Sequence, residues 1–236
     1  MSALSAAAAA ASPPSSSSPS SSQPSLTVWH EFTPTFCAAN QAVNLGQGFP
    51  NWDPPAFVVD ALIASVNVKG PSVNQYCRPE AHLPLAKALA DDYNAKWHDK
   101  NPALPKLDPL TNIVTAIGCT QAMSLACSSL IDRTAGHEAI LLEPAFDIYA
   151  EQVKLAGGTN RFVPLKTVLG GVDANAVFQV DWSALESALN PKTRLLVLNT
   201  PHNPTGKMFS MEEQLRLAAL LEKWPDVVVV ADEVYE

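Results

Sequence analysis

The chain is 236 residues long and carries a formal net charge of −8 at pH 7, which speaks against non-specific attraction to nucleic acid or to an anionic membrane. With 47% hydrophobic and 16% charged residues, it has the balance of a soluble globular protein, long enough for one good core or one large domain with tails. No apolar run approaches the length of a bilayer-spanning helix.

Residues 1–25 are almost wholly Ser, Ala and Pro, a composition that cannot bury enough surface to offset its ordering entropy, so a disordered tail is predicted. No Lys or Arg precedes Lys69, so the tail lacks the marks of an Arg-rich transit peptide or a charged signal segment. Gly46, Gly48, Pro50, Pro54 and Pro55 then punctuate an irregular loop. Pro55 suits the first turn of a helix predicted over Ala56 to Val66, with Asp53 as its cap. Apolar residues at 85, 86, 89, 90 and 93 form a helical stripe, predicting a second helix from Leu83 to Trp97.

Beyond this point strands and helices alternate. Strands are predicted over Asn112 to Ile117, Glu138 to Leu142, Arg161 to Leu165, Arg194 to Leu198 and Val227 to Ala231. Helices are predicted from Thr120 to Ile131 and from Asp147 to Ala156, the latter stopped by Gly157-Gly158. Ser183-x-x-Glu186 and Ser210-x-x-Glu213 match the capping box and open two more. Strands that are nearly continuous Val, Ile and Leu need cover on both faces, which predicts an α/β fold of three layers around a mostly parallel sheet. Cys37, Cys77, Cys119 and Cys127 show no CxxC spacing, and the five histidines are scattered. Reduced thiols, a cytoplasmic location and no zinc site are the expectation.

In an open α/β sheet, ligands gather beyond the carboxyl ends of the strands. Gly118-Cys119-Thr120 follows one strand and opens a helix, where free N–H groups and a hydroxyl suit a phosphate; an ordinary strand–helix turn has the same residues. Phe146 follows a second strand, placed either to stack on a flat ring or to fill the core. Asn199 and the Asn203-Pro204-Thr205-Gly206 turn follow a third. Asp232 ends the fourth, with Tyr235 three residues on; a carboxylate there is costly to bury without a cation, and a protonated pyridine nitrogen is one such cation. Lys207 reads as a solvated surface lysine leading into a helix rather than a catalytic one. No GxGxxG follows any strand, which disfavours a dinucleotide-binding fold.

Phosphate turn, aromatic, Asn turn and Asp-x-x-Tyr, in that order, resemble class I/II (fold-type I) aminotransferases. The segments Trp29-His-Glu-Phe32, Val43-Asn-Leu-Gly46-Gln-Gly48-Phe-Pro50, Asn74-Gln-Tyr76 and Leu198 to Lys207 are similar to the branch of kynurenine–oxoglutarate transaminases, or cysteine-conjugate β-lyases. The resemblance runs from about Val28 to the C-terminus. It implies a large domain binding pyridoxal 5′-phosphate over 76–236, preceded by an N-terminal arm and small-domain segment over 26–75. It implies that Cys119 and Thr120 hold the phosphate, Phe146 stacks on the ring, Asn203 and Tyr235 bind the 3′ oxygen, and Asp232 pairs with the ring nitrogen. Gly48 and Trp29 would face the substrate, together with Asn203. Tyr76 would reach the phosphate of a neighbouring subunit, implying a homodimer. Cys119 stands where the family often has Gly or Ala, but only its backbone N–H is required there.

The implied reaction is amino-group transfer from kynurenine, a glutamine-like or a sulfur amino acid to a 2-oxo acid. A β-eliminating C–S lyase would use the same residues. On the resemblance, the family's Schiff-base lysine, its phosphate-side lysine and its carboxylate-binding arginine all fall beyond Glu236. The expectation is therefore a catalytically incomplete fragment, or a non-catalytic one that holds cofactor weakly. Its last strand would be left as a bare, aggregation-prone edge.

Overall fold

Ile140-Leu141-Leu142 and Leu195 to Leu198 are apolar at every position, which suits a strand only when both of its faces are covered. The structure, a computed structural model that describes residues 39–46, 48, 50–70, 75–170, 173 and 177–235, covers them that way. The chain divides into two compact units, Met1–Asn74 and Gln75–Glu236.

In the first unit, helix α1 spans Ala56–Asn67. Its N-cap is Pro55, with no side-chain cap bond, so Asp53 does not cap it as expected. None of its residues is buried, and Phe57, Leu62 and Ile63 lie open.

The second unit holds the remaining described elements. They are α2 (Leu83–Tyr93), α3 (Gly118–Leu130), β1 (Glu138–Glu143), α4 (Asp147–Ala156), β2 (Thr159–Pro164), β3 (Lys166–Thr167), β4 (Phe178–Gln179), α5 (Trp182–Ala188), β5 (Thr193–Asn199), α6 (Met211–Leu221) and β6 (Val228–Asp232). The main sheet has the order β2-β1-β5-β6 and is parallel throughout; β3 and β4 form a separate antiparallel pair. Alternation along the strands sorts the core into two layers. Ile140, Leu142, Leu196 and Leu198 pack with Leu185 of α5 and Leu217 of α6. Ala139, Leu141, Leu195 and Val197 pack on the other face with Met123 and Cys127 of α3 and Tyr149 and Val153 of α4. This is the expected three-layer arrangement.

Local chemistry explains several boundaries. Gly157 caps α4 at φ 89°, a left-handed conformation open to glycine at little cost. Ser210 and Glu213 form the predicted capping box at α6, with bonds of 3.2 Å and 3.0 Å. At α5 the prediction fails. The cap is Asp181, whose side chain accepts from Ala184 N–H at 3.1 Å, and Ser183 lies inside the helix. The helix expected to reach Trp97 instead passes into a π-helical turn, Asn94–His98. Buried Asn94 clamps the backbone of Leu107 there, donating to its carbonyl at 2.9 Å and accepting from its N–H at 2.8 Å.

Residues 113–116 are not a strand. Among the described residues they join no ladder, although Thr115 N–H donates to the Glu80 carbonyl at 2.8 Å. Apolar content predicted an extended segment, but a strand also needs a partner for its backbone groups. Strand β6 lies at an edge of the described sheet, with Val228 and Val229 partly exposed.

At the opposite end of the sheet, buried Glu138 accepts two 2.8 Å bonds from Arg161 and a third from Asn190, tying the starts of β1 and β2 together. The Arg161 hydrogen bond holds its carboxyl below the ordinary glutamate range. A lowered carboxylate contributes stability above its unfolded pKa and loses it as pH falls through the folded value. Urea midpoints should therefore drop as pH falls through and below about 4.3, and Glu138→Gln should flatten that part of the profile. At the α5 cap, Asp181→Ala should cost about 1 kcal/mol, while Ser183→Ala should stay within about 0.5 kcal/mol, both read from denaturant melts.

Candidate functional site

Parallel register brings the ends of β5 and β6 level, with Asn199 opposite Asp232. The Asn199 amide uses this alignment fully. Its Nδ2 donates to the Asp232 carbonyl at 2.9 Å, and its Oδ1 accepts from Asn203 N–H at 2.7 Å. One buried side chain thus sets both the strand end and the turn that follows β5. Asn203 Nδ2 then donates to the Tyr235 hydroxyl at 3.2 Å, so the amide and phenol expected at one ring oxygen stand together.

Asp232 itself is buried, at 6% exposure. Its Oδ1 accepts from Val234 N–H at 3.1 Å. Its Oδ2 accepts from the Tyr149 hydroxyl at 2.6 Å and the Cys119 thiol at 3.5 Å. Every one of these donors is neutral. The other buried acid and the buried base among the described residues are paired internally, Glu138 with Arg161 and Lys207 with Glu213. Asp232 has no such partner there. A protonated ring nitrogen is a cation that would supply the missing charge.

The surrounding groups stay neutral. Burial, then the hydrogen bond and charge of Asp232, push the Tyr149 phenol far above its usual range. Burial and the Asp232 charge also push the Cys119 thiol up. Both remain protonated donors.

Gly118 opens α3 at φ 76°, with open space where a side chain would stand. The N-cap is apolar Ile117, which provides no side-chain bond to the first turn. Amide groups of Cys119 and Thr120 at such an end suit a phosphate, and both residues are exposed. Phe146 is the residue before α4 and meets Tyr149 edge-on, with centroids 5.8 Å apart and planes at 81°. These residues together fit pyridoxal phosphate: an uncapped helix end for the phosphate, an aromatic face, an amide–phenol pair and a buried carboxylate that lacks a cation.

Cys119, Phe146, Asn203, Asp232 and Tyr235 are thus joined through Tyr149 and Asn199. Thr120 adjoins Cys119 in the first turn of α3. Tyr76 stands fully exposed in the same unit. Gly48 belongs to the first unit and is exposed; Trp29 lies outside the described residues.

Sequence reasoning missed Tyr149. The available signal was its place three residues after Phe146, on the same helical face. Sequence reasoning also misplaced Lys207, which is 1% exposed and not a surface residue. Its ammonium lies 2.8 Å from Glu213 Oε1 and 5.1 Å from the Phe209 ring centroid. The Asn203 turn closes onto it, with His202 N–H donating to the Lys207 carbonyl at 2.9 Å. His202 is buried too, which lowers its imidazole below the usual range and keeps it neutral beside that ammonium. A cleft of about 620 Å³ lined by Trp182, Lys207, Phe209 and Arg216 lies apart from the Asp232 cluster.

The chain matches the model of the family "Aminotransferase class I and II" over residues 40–236. It is 40% identical over 218 residues to a kynurenine–oxoglutarate transaminase of Dictyostelium discoideum, covering 89% of this chain and 48% of that protein. It is 39% identical over 213 residues to the human kynurenine–oxoglutarate transaminase 3, covering 89% of this chain and 44% of the relative. The chain therefore spans about half the length of the curated relatives it matches. Its fold superposes on an N-succinyldiaminopimelate aminotransferase of Mycobacterium tuberculosis with a TM-score of 0.73 and 33% identity, over 89% of this chain and 50% of that structure.

Lys207 is the buried member of its ion pair, and its removal takes the cation from a Glu213 side chain that is only 20% exposed. Lys207→Ala should lower stability by about 2 kcal/mol, through lost packing as well as lost charge, whereas Lys207→Met combined with Glu213→Gln should recover most of the loss, as read by circular dichroism in a urea series.

Proposed function

This chain belongs to the class I and II aminotransferases, and we propose that it forms the ring-binding and phosphate-binding part of an enzyme that moves an amino group to a 2-oxo acid. The amino donors we assign are kynurenine, which the names of the relatives carry, and, on the sequence resemblance, glutamine-like and sulfur amino acids. One observation carries the reading: Asp232 is buried among neutral donors at the end of β6, where a cationic ring nitrogen completes its charge.

The family depends on pyridoxal phosphate, which when bound supplies an electron sink for loss of a proton from the substrate α-carbon. In the proposed arrangement Asp232 keeps a proton on the ring nitrogen by pairing with it. Phe146 covers one face of the ring and excludes water from it. Asn203 and Tyr235 orient the ring through its 3′ oxygen. Cys119 and Thr120 hold the phosphate with first-turn amides and the Thr120 hydroxyl. Exposed Tyr76 is assigned to the phosphate of a second subunit in a homodimer. Lys207 is committed to Glu213 and serves the turn rather than the substrate.

The test is a pyridoxal phosphate titration of the purified chain, followed by absorbance, with amino transfer from kynurenine to 2-oxoglutarate as a second readout. Saturable binding that Asp232→Asn weakens by about tenfold or more supports the reading, since hydrogen bonds to charged groups are worth roughly 1.5–3 kcal/mol. Absence of saturable binding, or binding indifferent to Asp232→Asn, refutes it. Product formed without any 2-oxo acid would redirect the reaction to elimination on the same residues.

A further inference from the structure

The Asp232 cluster contains a group that the cofactor reading does not use. Tyr149 sits in the first turn of α4, 3% exposed, its ring body packed among Met123, Cys127, Val153 and Leu195. Core packing alone accounts for a phenylalanine there. The hydroxyl is a different matter, since a buried phenol needs an acceptor, and it finds Asp232 Oδ2 at 2.6 Å. At that distance to an ionised acceptor the bond is of the strong, charge-assisted kind. The same ring meets Phe146 edge to face. Tyr149 is therefore keyed both to the aromatic that precedes α4 and to the carboxylate that ends β6.

We propose that Tyr149 is a positioning residue of this site, fixing the Asp232 carboxylate relative to the Phe146 ring so that a cationic nitrogen on a stacked pyridine meets it in line. This rests on the cofactor reading above. Without the phenol, Oδ2 keeps only the Cys119 thiol, a weak donor at 3.5 Å, and the carboxylate is freer to rotate about the Val234 N–H that holds Oδ1. The phenol is suited to the task because burial and the neighbouring Asp232 push it far above its usual range, so it stays a donor. Cys119 is the lesser support, and its replacement should matter less.

A structural role alone would weaken binding of any ring. A positioning role acts through the ring nitrogen, so the discriminating measurement compares two ligands. The purified chain is titrated with pyridoxal phosphate and with its carbocyclic analogue, in which the ring nitrogen is C–H. The ratio of the two dissociation constants is the readout. The wild-type chain should prefer the nitrogen ring, Tyr149→Phe should reduce that preference about tenfold, and Cys119→Ala by less than about threefold. In an Asp232→Asn background, Tyr149→Phe should change the ratio no further. A preference that survives Tyr149→Phe unchanged overturns the inference and leaves the cofactor reading standing. A wild-type chain that binds neither ligand, or both alike, overturns the Asp232 pairing and this inference with it. Should Tyr149→Phe not fold, 3-fluorotyrosine incorporated throughout the chain strengthens the phenol as a donor while keeping it. Its effect at Tyr235 is common to both rings, so the ratio should change, and an unchanged ratio counts against the proposal.

Discussion

A carboxylate taken out of water must be repaid by charge or by hydrogen bonds, and in this fold the two solutions occur in different places. Glu138 and Lys207 are buried with opposite charges in contact. Asp232 is buried with neutral donors only, from Tyr149, Cys119 and the Val234 backbone. Neutral donors fix a carboxylate's direction without cancelling its charge. Asp232 is thus oriented but not neutralised, the condition required of a group that must attract a cation from a ligand. The rest of the site is arranged around that constraint.

The sheet makes the arrangement possible. Parallel pairing puts the carboxyl ends of β1, β5 and β6 along one edge, and register sets Asn199 against Asp232. Each strand end then hands the chain to a segment with one polar task. After β5, the Asn199 amide catches the Asn203 N–H, and the turn closes on Lys207, which Glu213 anchors at the cap of α6. After β1, the chain reaches Phe146 and turns into α4, which returns Tyr149 to the face it shares with α3. The helices are covers for the sheet and also carriers that bring Tyr149 and Cys119 to the same oxygen.

The layering was legible in the sequence because apolar runs such as Leu195 to Leu198 admit few alternatives, and because Gly157 and the Ser210–Glu213 box mark helix ends by local chemistry alone. What stayed hidden depends on groups distant in sequence or on close competitors for one role. Residues 113–116 have strand composition, but a strand exists only where a neighbour accepts its backbone bonds. Asp181 outcompetes Ser183 as a cap, although the Ser-x-x-Glu pattern looks complete. Asn94 diverts α2 into a π turn by clamping Leu107, thirteen residues on. The polar residues at the strand ends were visible as types in order; the bonds between them were not.

Lys207 and Tyr149 fail in instructive opposite ways. Lysine is ordinarily solvated and tyrosine is ordinarily packed, so residue type alone sends the first to the surface and the second to the core. Here the lysine is the deeper of the two, and the tyrosine carries the shorter polar contact. Each is explained by an acid it meets only through the fold: Glu213 at a helix cap six residues on, and Asp232 at a strand end eighty-three residues on. In the first pairing both charges are satisfied within the chain, which fixes a turn. In the second the charge stays open, left for a ligand to complete.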